Sequence, residues 1–258
     1  MNWMLRLFQG LVVFSVIGSS LEIWLKINSG PIAVICSCLT LLSGGIVAII
    51  WLRDVLKTVL LLTLGITVEL IGLTTGFPFG KYEYSNRWIP TIPIPGDHRF
   101  PILLPIAWVI ILVGSYCAVR RYFSPGRAVL ACGILAALVD WPMERAMCQV
   151  FRYWSWTPAG PLFGAPIQNA IGWLITGLLG GALLTWRDHS PSKNSVAPSK
   201  ALAWFCLMVA LIGWLHGFDL AWLILLAIAI GMLVFNSGES TNLLMTRNNS
   251  ESASVEAE

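Results

Sequence analysis

Apolar residues run along this chain in long blocks separated by short polar or proline-rich breaks. Blocks of this kind cover 6–26, 31–51, 55–75, 101–120, 127–148, 167–186, 201–217 and 219–235. A helix needs about 20 mostly apolar residues to cross the hydrocarbon core of a bilayer. Each block therefore predicts a spanning helix, giving an all-α, polytopic membrane bundle of about eight helices. The last two blocks are short and joined by a tight His216-Gly217-Phe218-Asp219 turn, so a seven-span count stays open.

The polar stretches between and after the blocks set the organisation. Arg187 to Lys200 (RDHSPSKNSVAPSK) reads as a polar linker, and the Ser-, Asn- and Glu-rich chain from Asn236 onward reads as disordered. The expected division is one transmembrane domain over 1–236 and a disordered polar tail over 237–258. Basic residues bias a span's orientation toward the cytoplasmic side. With eight spans, Arg6, Arg53, Lys57, Arg120, Arg121, Arg127, Arg187, Lys193, Lys200 and Arg247 fall on one side. Lys26, Lys81, Arg87, Arg99, Arg145 and Arg152 fall on the other, which predicts both termini inside. The first block, Leu7 to Leu25, is long enough to span and has no small-residue cleavage site behind it, so it reads as a retained helix.

Composition agrees with the blocks. Of 258 residues, 57% are hydrophobic and 11% charged, against roughly 25% charged in soluble domains. A formal charge of +3, carried by scattered basic residues, gives no argument for nucleic acid as a partner. Cys36, Cys38, Cys117, Cys132, Cys148 and Cys206 form no CxxC pair and sit in or at the ends of apolar blocks, where cysteine packs as a small apolar side chain. His98, His189 and His216 are far apart and lack ligand spacing, so no metal site is expected.

Two loops break the pattern. Gly76 to Pro101 (GFPFGKYEYSNRWIPTIPIPGDHRFP) holds five prolines and the aromatics Phe77, Phe79, Tyr82, Tyr84, Trp88 and Phe100. Phe151 to Pro166 (FRYWSWTPAGPLFGAP) has the same character. An odd number of spans precedes each, so both belong on the outer face. Such segments either cap a cavity or anchor the bundle as an aromatic belt.

A carboxylate inside a span is expensive unless it is paired, protonated or facing water, which makes it a functional candidate. Three of the nine acidic residues before the tail qualify. Glu69 lies six residues before the end of the third span, about 9 Å below it at ~1.5 Å per residue. Asp140 and Glu144 lie near the end of the fifth span at i,i+4 spacing, on one helical face. Two carboxylates that close repel when both are ionised, which favours keeping a proton on one. Arg145 and Arg152 offer the alternative of plain ion pairing, and Pro142 is expected to kink the helix between the two acids. Acids, aromatic walls and lipid converge on one face. A carboxylic acid there suits protonation of an electron-rich alkene, with aromatic faces stabilising the cation before water captures it.

The segments GFPFGKYEY (76–84), FPILLPIAW (100–108), Asp140 with Pro142, YWSW (153–156) and FGAPIQNAIGW (163–173) follow one another in order. From Glu69 to Trp173 the chain resembles the membrane-embedded carotenoid biosynthesis family that includes the CruF-type carotenoid 1′,2′-hydratases. The resemblance implies a cofactor-independent hydro-lyase that adds water across the terminal C1=C2 bond of an acyclic carotenoid end. Ends of γ-carotene, lycopene or bisanhydrobacterioruberin type fit this description. It further implies a lipophilic carotenoid and membrane lipid as partners, with other enzymes of the carotenoid pathway as further candidates. The location implied is a bacterial or archaeal cell membrane, or a thylakoid. The family carries an acid close to the proline, and the sequence Asp140-Trp-Pro142 leaves open whether Asp140 or Glu144 fills that part. Ala165 stands where valine is commoner.

On the physical grounds above, the candidate catalytic residues are Asp140, Glu144 and Glu69, with Asp140 as proton donor and Glu144 or Glu69 tuning it. The candidate substrate-binding residues are Tyr82, Tyr84, Tyr153, Trp154, Trp156, Asn169 and Trp173. Two other classes compete. A small-molecule or ion transporter could use the three carboxylates as a relay, which predicts inverted repeats with interrupted helices in matching halves. An assembly factor could use the aromatic loops to hold a partner.

Overall fold

The helix ends sit at punctuation that the sequence carries. The computed structural model describes residues 2–28, 30–186 and 196–235. Helix α1 covers Asn2–Leu25, and α2 covers Pro31–Leu52 with proline in its first turn. Asp54 then caps α3 (Val55–Thr75), its side chain accepting from the Lys57 backbone N–H at 3.0 Å. Gly76, at φ 76°, ends α3 with its N–H on the Gly72 carbonyl at 2.8 Å, a left-handed terminus that glycine adopts without strain. The remaining helices are α4 (Leu104–Arg120), α5 (Pro125–Arg145), α6 (Ile167–Thr185), α7 (Ala197–Leu215) and α8 (Leu220–Phe235).

Six of these helices are long and apolar enough to cross a membrane, and α4 and α8 are shorter apolar helices. This is the polytopic all-α bundle that the apolar blocks predict. Helix α4 is its centre, buried from Leu104 to Cys117 on almost every side and packed against α2, α3, α5, α6 and α7. A helix apolar all round is suited to that position. Gly177 and Gly181 of α6 bring its backbone against Gly133 and Val129 of α5, so the small-residue spacing packs two helices of the same chain.

Several features differ from expectation. Ala197 to Lys200, assigned to the linker, form the first turn of α7. Pro198 suits a first turn, and Ala197, Pro198 and Ser199 are buried beneath the close approach of α4 at Gly114. Helix α5 runs on through Pro142 without a break. The helix instead widens into a π turn over Ala146–Val150, closed by the Phe151 N–H on the Ala146 carbonyl at 2.9 Å. The two aromatic loops are also not irregular throughout. Strand β1 (Tyr82–Tyr84) pairs antiparallel with β4 (Trp154–Trp156), while β2 (Thr91–Ile94) and β3 (His98–Pro101) form a hairpin. The tail and most of the linker lie outside the described residues.

The β1–β4 pairing settles that both loops share one face. Tyr82 lies opposite Trp156 and Tyr84 opposite Trp154, and Ser85 Oγ donates to the Arg152 carbonyl at 2.6 Å. Arg145, at the end of α5, pairs with Asp219 in the α7–α8 turn at 2.7 Å on the same face. At the opposite face Lys57 Nζ donates to the Leu184 carbonyl and Tyr122 Oη to the Phe235 carbonyl.

Candidate functional site

The acid in α3 sits between two glycines of the run Gly65-Ile-Thr-Val-Glu69-Leu-Ile-Gly72. A Cβ at Gly65 would meet the Trp108 ring, and one at Gly72 would lie 2.7 Å from Tyr82 Oη. The two glycines therefore open a notch on either side of Glu69 into which those rings fit. Glu69 is buried there and accepts three hydrogen bonds. Tyr82 and Tyr84 donate to Oε2 at 2.6 and 3.0 Å, and Trp108 Nε1 donates to Oε1 at 2.8 Å. Burial, and then the neighbouring Glu69 charge, hold both loop phenols well above the usual tyrosine range, so they stay O–H donors. This cluster ties β1 to α3 and α4.

The second cluster is at the top of α5. Glu144 is buried and receives Trp154 Nε1 at 2.9 Å, Trp156 Nε1 at 2.8 Å and the Cys148 thiol at 3.3 Å, all on Oε2. Its Oε1 accepts from Asn169 Nδ2 at 2.9 Å. The same amide nitrogen donates to Asp140 Oδ2 at 2.7 Å. One amide thus bridges both carboxyl groups, which lie no more than two hydrogen-bond lengths apart. Asp140 Oδ1 has no donor among the described residues. Arg145 does not neutralise either acid, because its guanidinium is engaged by Asp219. The ion pairing considered from sequence is therefore not formed by Arg145.

Asp140 is also the one of the three acids that lines the main cavity, a space of about 300 Å³. Its walls come from the halves of α1, α2, α4 and α7 nearest the aromatic loops, the end of α5, Trp173 of α6 and the loops themselves. Two aromatic stacks form the wall. Trp108 stacks on Trp173 with centroids 3.9 Å apart, and Trp88 stacks on both Tyr153 and Trp154 at 5.1 and 5.7 Å. Of the expected substrate-binding residues, Tyr153, Trp154 and Trp173 line the cavity. Tyr82, Tyr84 and Trp156 stand behind that wall as donors to Glu69 and Glu144, and Asn169 is the bridge between the two α5 acids. Trp88 was read only as a loop aromatic and Cys36 only as a packing residue, and the rest of the α1 and α2 lining (Ser15, Ser19, Glu22, Ser37 and Thr40) was not singled out from sequence. Their recurrence at three- and four-residue steps is the helical-face signal that could have marked them.

A profile of carotenoid biosynthesis proteins matches residues 29–235, which include every helix but the first and the whole of both clusters. The chain belongs to the carotenoid biosynthesis protein family. A bisanhydrobacterioruberin hydratase from Haloarcula japonica is 27% identical to it over 141 residues, 53% of this chain and 46% of that protein. The chain thus matches about half the length of that curated relative. No solved structure matches.

Proposed function

We propose that this protein adds water across the terminal double bond of an acyclic carotenoid end. The observation that carries the proposal is the inequality of the three buried acids. Glu69 and Glu144 have both oxygens held by donors, whereas Asp140 keeps one oxygen open and lines an aromatic, apolar cavity. Two acids sharing one amide donor are suited to holding a single proton between them. Four donors favour the charge on Glu144, so the proton belongs on Asp140.

Asp140 then gives its proton to the inner carbon of the terminal C=C bond, and the positive charge develops on the outer, tertiary carbon. The Trp108, Trp173 and Trp154 rings that line the cavity are suited to stabilising that charge by cation–π attraction. Water forms the new C–O bond, and the oxonium sheds a proton that restores the carboxylic acid through a bridging water. One water is consumed, the acid is regenerated, and the product is a tertiary alcohol. No cofactor takes part. Glu69 acts from behind the wall by fixing Trp108, Tyr82 and Tyr84. The family membership and the hydratase among the relatives support the same chemistry.

Transport is the weaker alternative. The π turn that interrupts α5 has no counterpart in another helix among the described residues, where inverted repeats would give one. The deciding experiment is Asp140→Asn in a carotenoid-producing host. It keeps the shape and the Asn169 contact but removes the acid. The expected result is accumulation of the unhydrated carotenoid with the protein still in membranes. Normal hydroxylated product from a well-expressed variant would reject the assignment.

A further inference from the structure

A carbocation in an aromatic cavity has two fates, capture by water or loss of a proton back to the acid. The choice depends on whether a water is held with its lone pair aimed at the cation. That orientation requires both water hydrogens to be donated to acceptors on the wall behind it. On the aromatic side the indole N–H groups only donate, which leaves the Tyr153 phenol oxygen as a lone side-chain acceptor among the aromatic lining residues.

The α1–α2 side supplies a pair of acceptors. Thr40 is buried and lines the cavity, and its Oγ1 proton is committed to the Cys36 carbonyl at 2.8 Å. Ser15 also lines the cavity, and its hydroxyl proton is committed to the Leu11 carbonyl at 2.9 Å. With that proton used, the Cys36 thiol at 3.3 Å from Ser15 Oγ is the donor of that contact. Both residues line the cavity, and each hydroxyl has its proton committed within its own helix, so toward the cavity it can only accept. They sit across the same space from the acid on α5.

We propose that Ser15 and Thr40 form the water subsite of this cavity, orienting the nucleophile for capture of the cation formed by Asp140. The subsite rests on the hydratase function proposed above and adds a role for α1 and α2. Ser15 and Thr40 are positioning residues, acting on water rather than on the carotenoid. Their loss leaves proton transfer to the alkene intact and removes its productive end. The cation then returns a proton to the carboxylate and the alkene re-forms. In D₂O the acid carries deuterium, so a failed cycle that expels the original hydrogen leaves deuterium on the inner carbon, and one that deprotonates a methyl group leaves deuterium there and shifts the double bond.

The test uses membranes containing the full-length protein, resuspended in D₂O, with lycopene and bisanhydrobacterioruberin as separate probes and mass spectrometry of the recovered pigments. Thr40→Val keeps the side-chain shape and Ser15→Ala removes only the hydroxyl. The double variant is expected to lower hydrated product at least tenfold while deuterium in the unhydrated carotenoid rises. Thr40→Ser, which keeps the hydroxyl, is expected to restore product when Ser15 is intact. Wild-type product from the double variant would overturn the subsite, and so would parallel loss of product and exchange. Wild-type membranes that neither hydrate nor exchange either probe would overturn the hydratase function itself, and the subsite with it.

Discussion

Glu69→Gln is the most informative substitution outside the cavity, because its consequences can be worked from three contacts. Trp108 Nε1 can only donate, so the single Gln carbonyl must stay on the Oε1 side to receive it. The Gln NH₂ then faces Tyr82 and Tyr84, whose hydroxyl protons lose the acceptor that Oε2 provides. The hydroxyl protons of buried Tyr82 and half-buried Tyr84 are left without that acceptor, at about 1–3 kcal/mol each. Hydrogen bonds between membrane helices average only ~0.6 kcal/mol, so the lower half of that range applies. A loss of about 2–4 kcal/mol follows, a large share of the roughly 5–15 kcal/mol that keeps a domain folded. The expected readout is reduced abundance in membranes and a lower unfolding midpoint in mild detergent. Adding Tyr82→Phe and Tyr84→Phe to Glu69→Gln removes the orphaned protons and should recover part of the midpoint. If Glu69→Gln kept the wild-type midpoint and abundance but made no hydrated product, Glu69 would belong to the chemistry itself and not to the support of its aromatic wall.

Other outcomes test the remaining parts. Gly18 lines the cavity with nothing within 4 Å of where its Cβ would sit, so Gly18→Leu should intrude on the substrate without disturbing packing. Product is expected to fall about tenfold, equivalent to ~1.4 kcal/mol of binding, at unchanged abundance. Wild-type turnover would show that this cavity does not hold the carotenoid. Arg145→Ala should lower stability by less than about 1 kcal/mol, as for other partly exposed ion pairs, and leave product unchanged. A collapse of activity would restore Arg145 as a partner of the α5 acids. Single cysteines at the exposed positions Asn86 and Thr157 should label from the same side of the membrane, and opposite sidedness would break the β1–β4 pairing.

Most of the fold was legible because a membrane makes length and apolarity nearly sufficient to specify a helix. The blocks at 31–51, 55–75 and 167–186 match α2, α3 and α6 within about a residue at each end. The α7 start failed for a physical reason. Ser199 and Lys200 look like linker by composition, and only the contact of α4 at Gly114 with Leu202 and the Pro198 carbonyl reveals a buried first turn. The π turn after Arg145 had no sequence signal either. Its consequence is visible only in three dimensions, where Cys148, Trp154 and Trp156 all reach Glu144.

The site was legible in kind and illegible in detail, and the difference lies in what each residue costs alone. A carboxyl group in an apolar span is conspicuous because burial without partners is expensive, so Glu69, Asp140 and Glu144 stood out. Which of them keeps an open oxygen is decided by donors from elsewhere in the chain, Trp108 for Glu69 and Asn169 for both α5 acids. No local pattern around the acids encodes those partners. Ser15 and Thr40 were invisible for the opposite reason. A serine or threonine that donates to the carbonyl four residues back carries little cost in a membrane helix, so such residues are frequent there and signal nothing on their own. Their interest comes from what that local bond leaves behind, a hydroxyl able only to accept, on a residue that lines a space with an acid on its other side. A hydratase needs such a pair of walls, one to give a proton and one to hold water by its hydrogens.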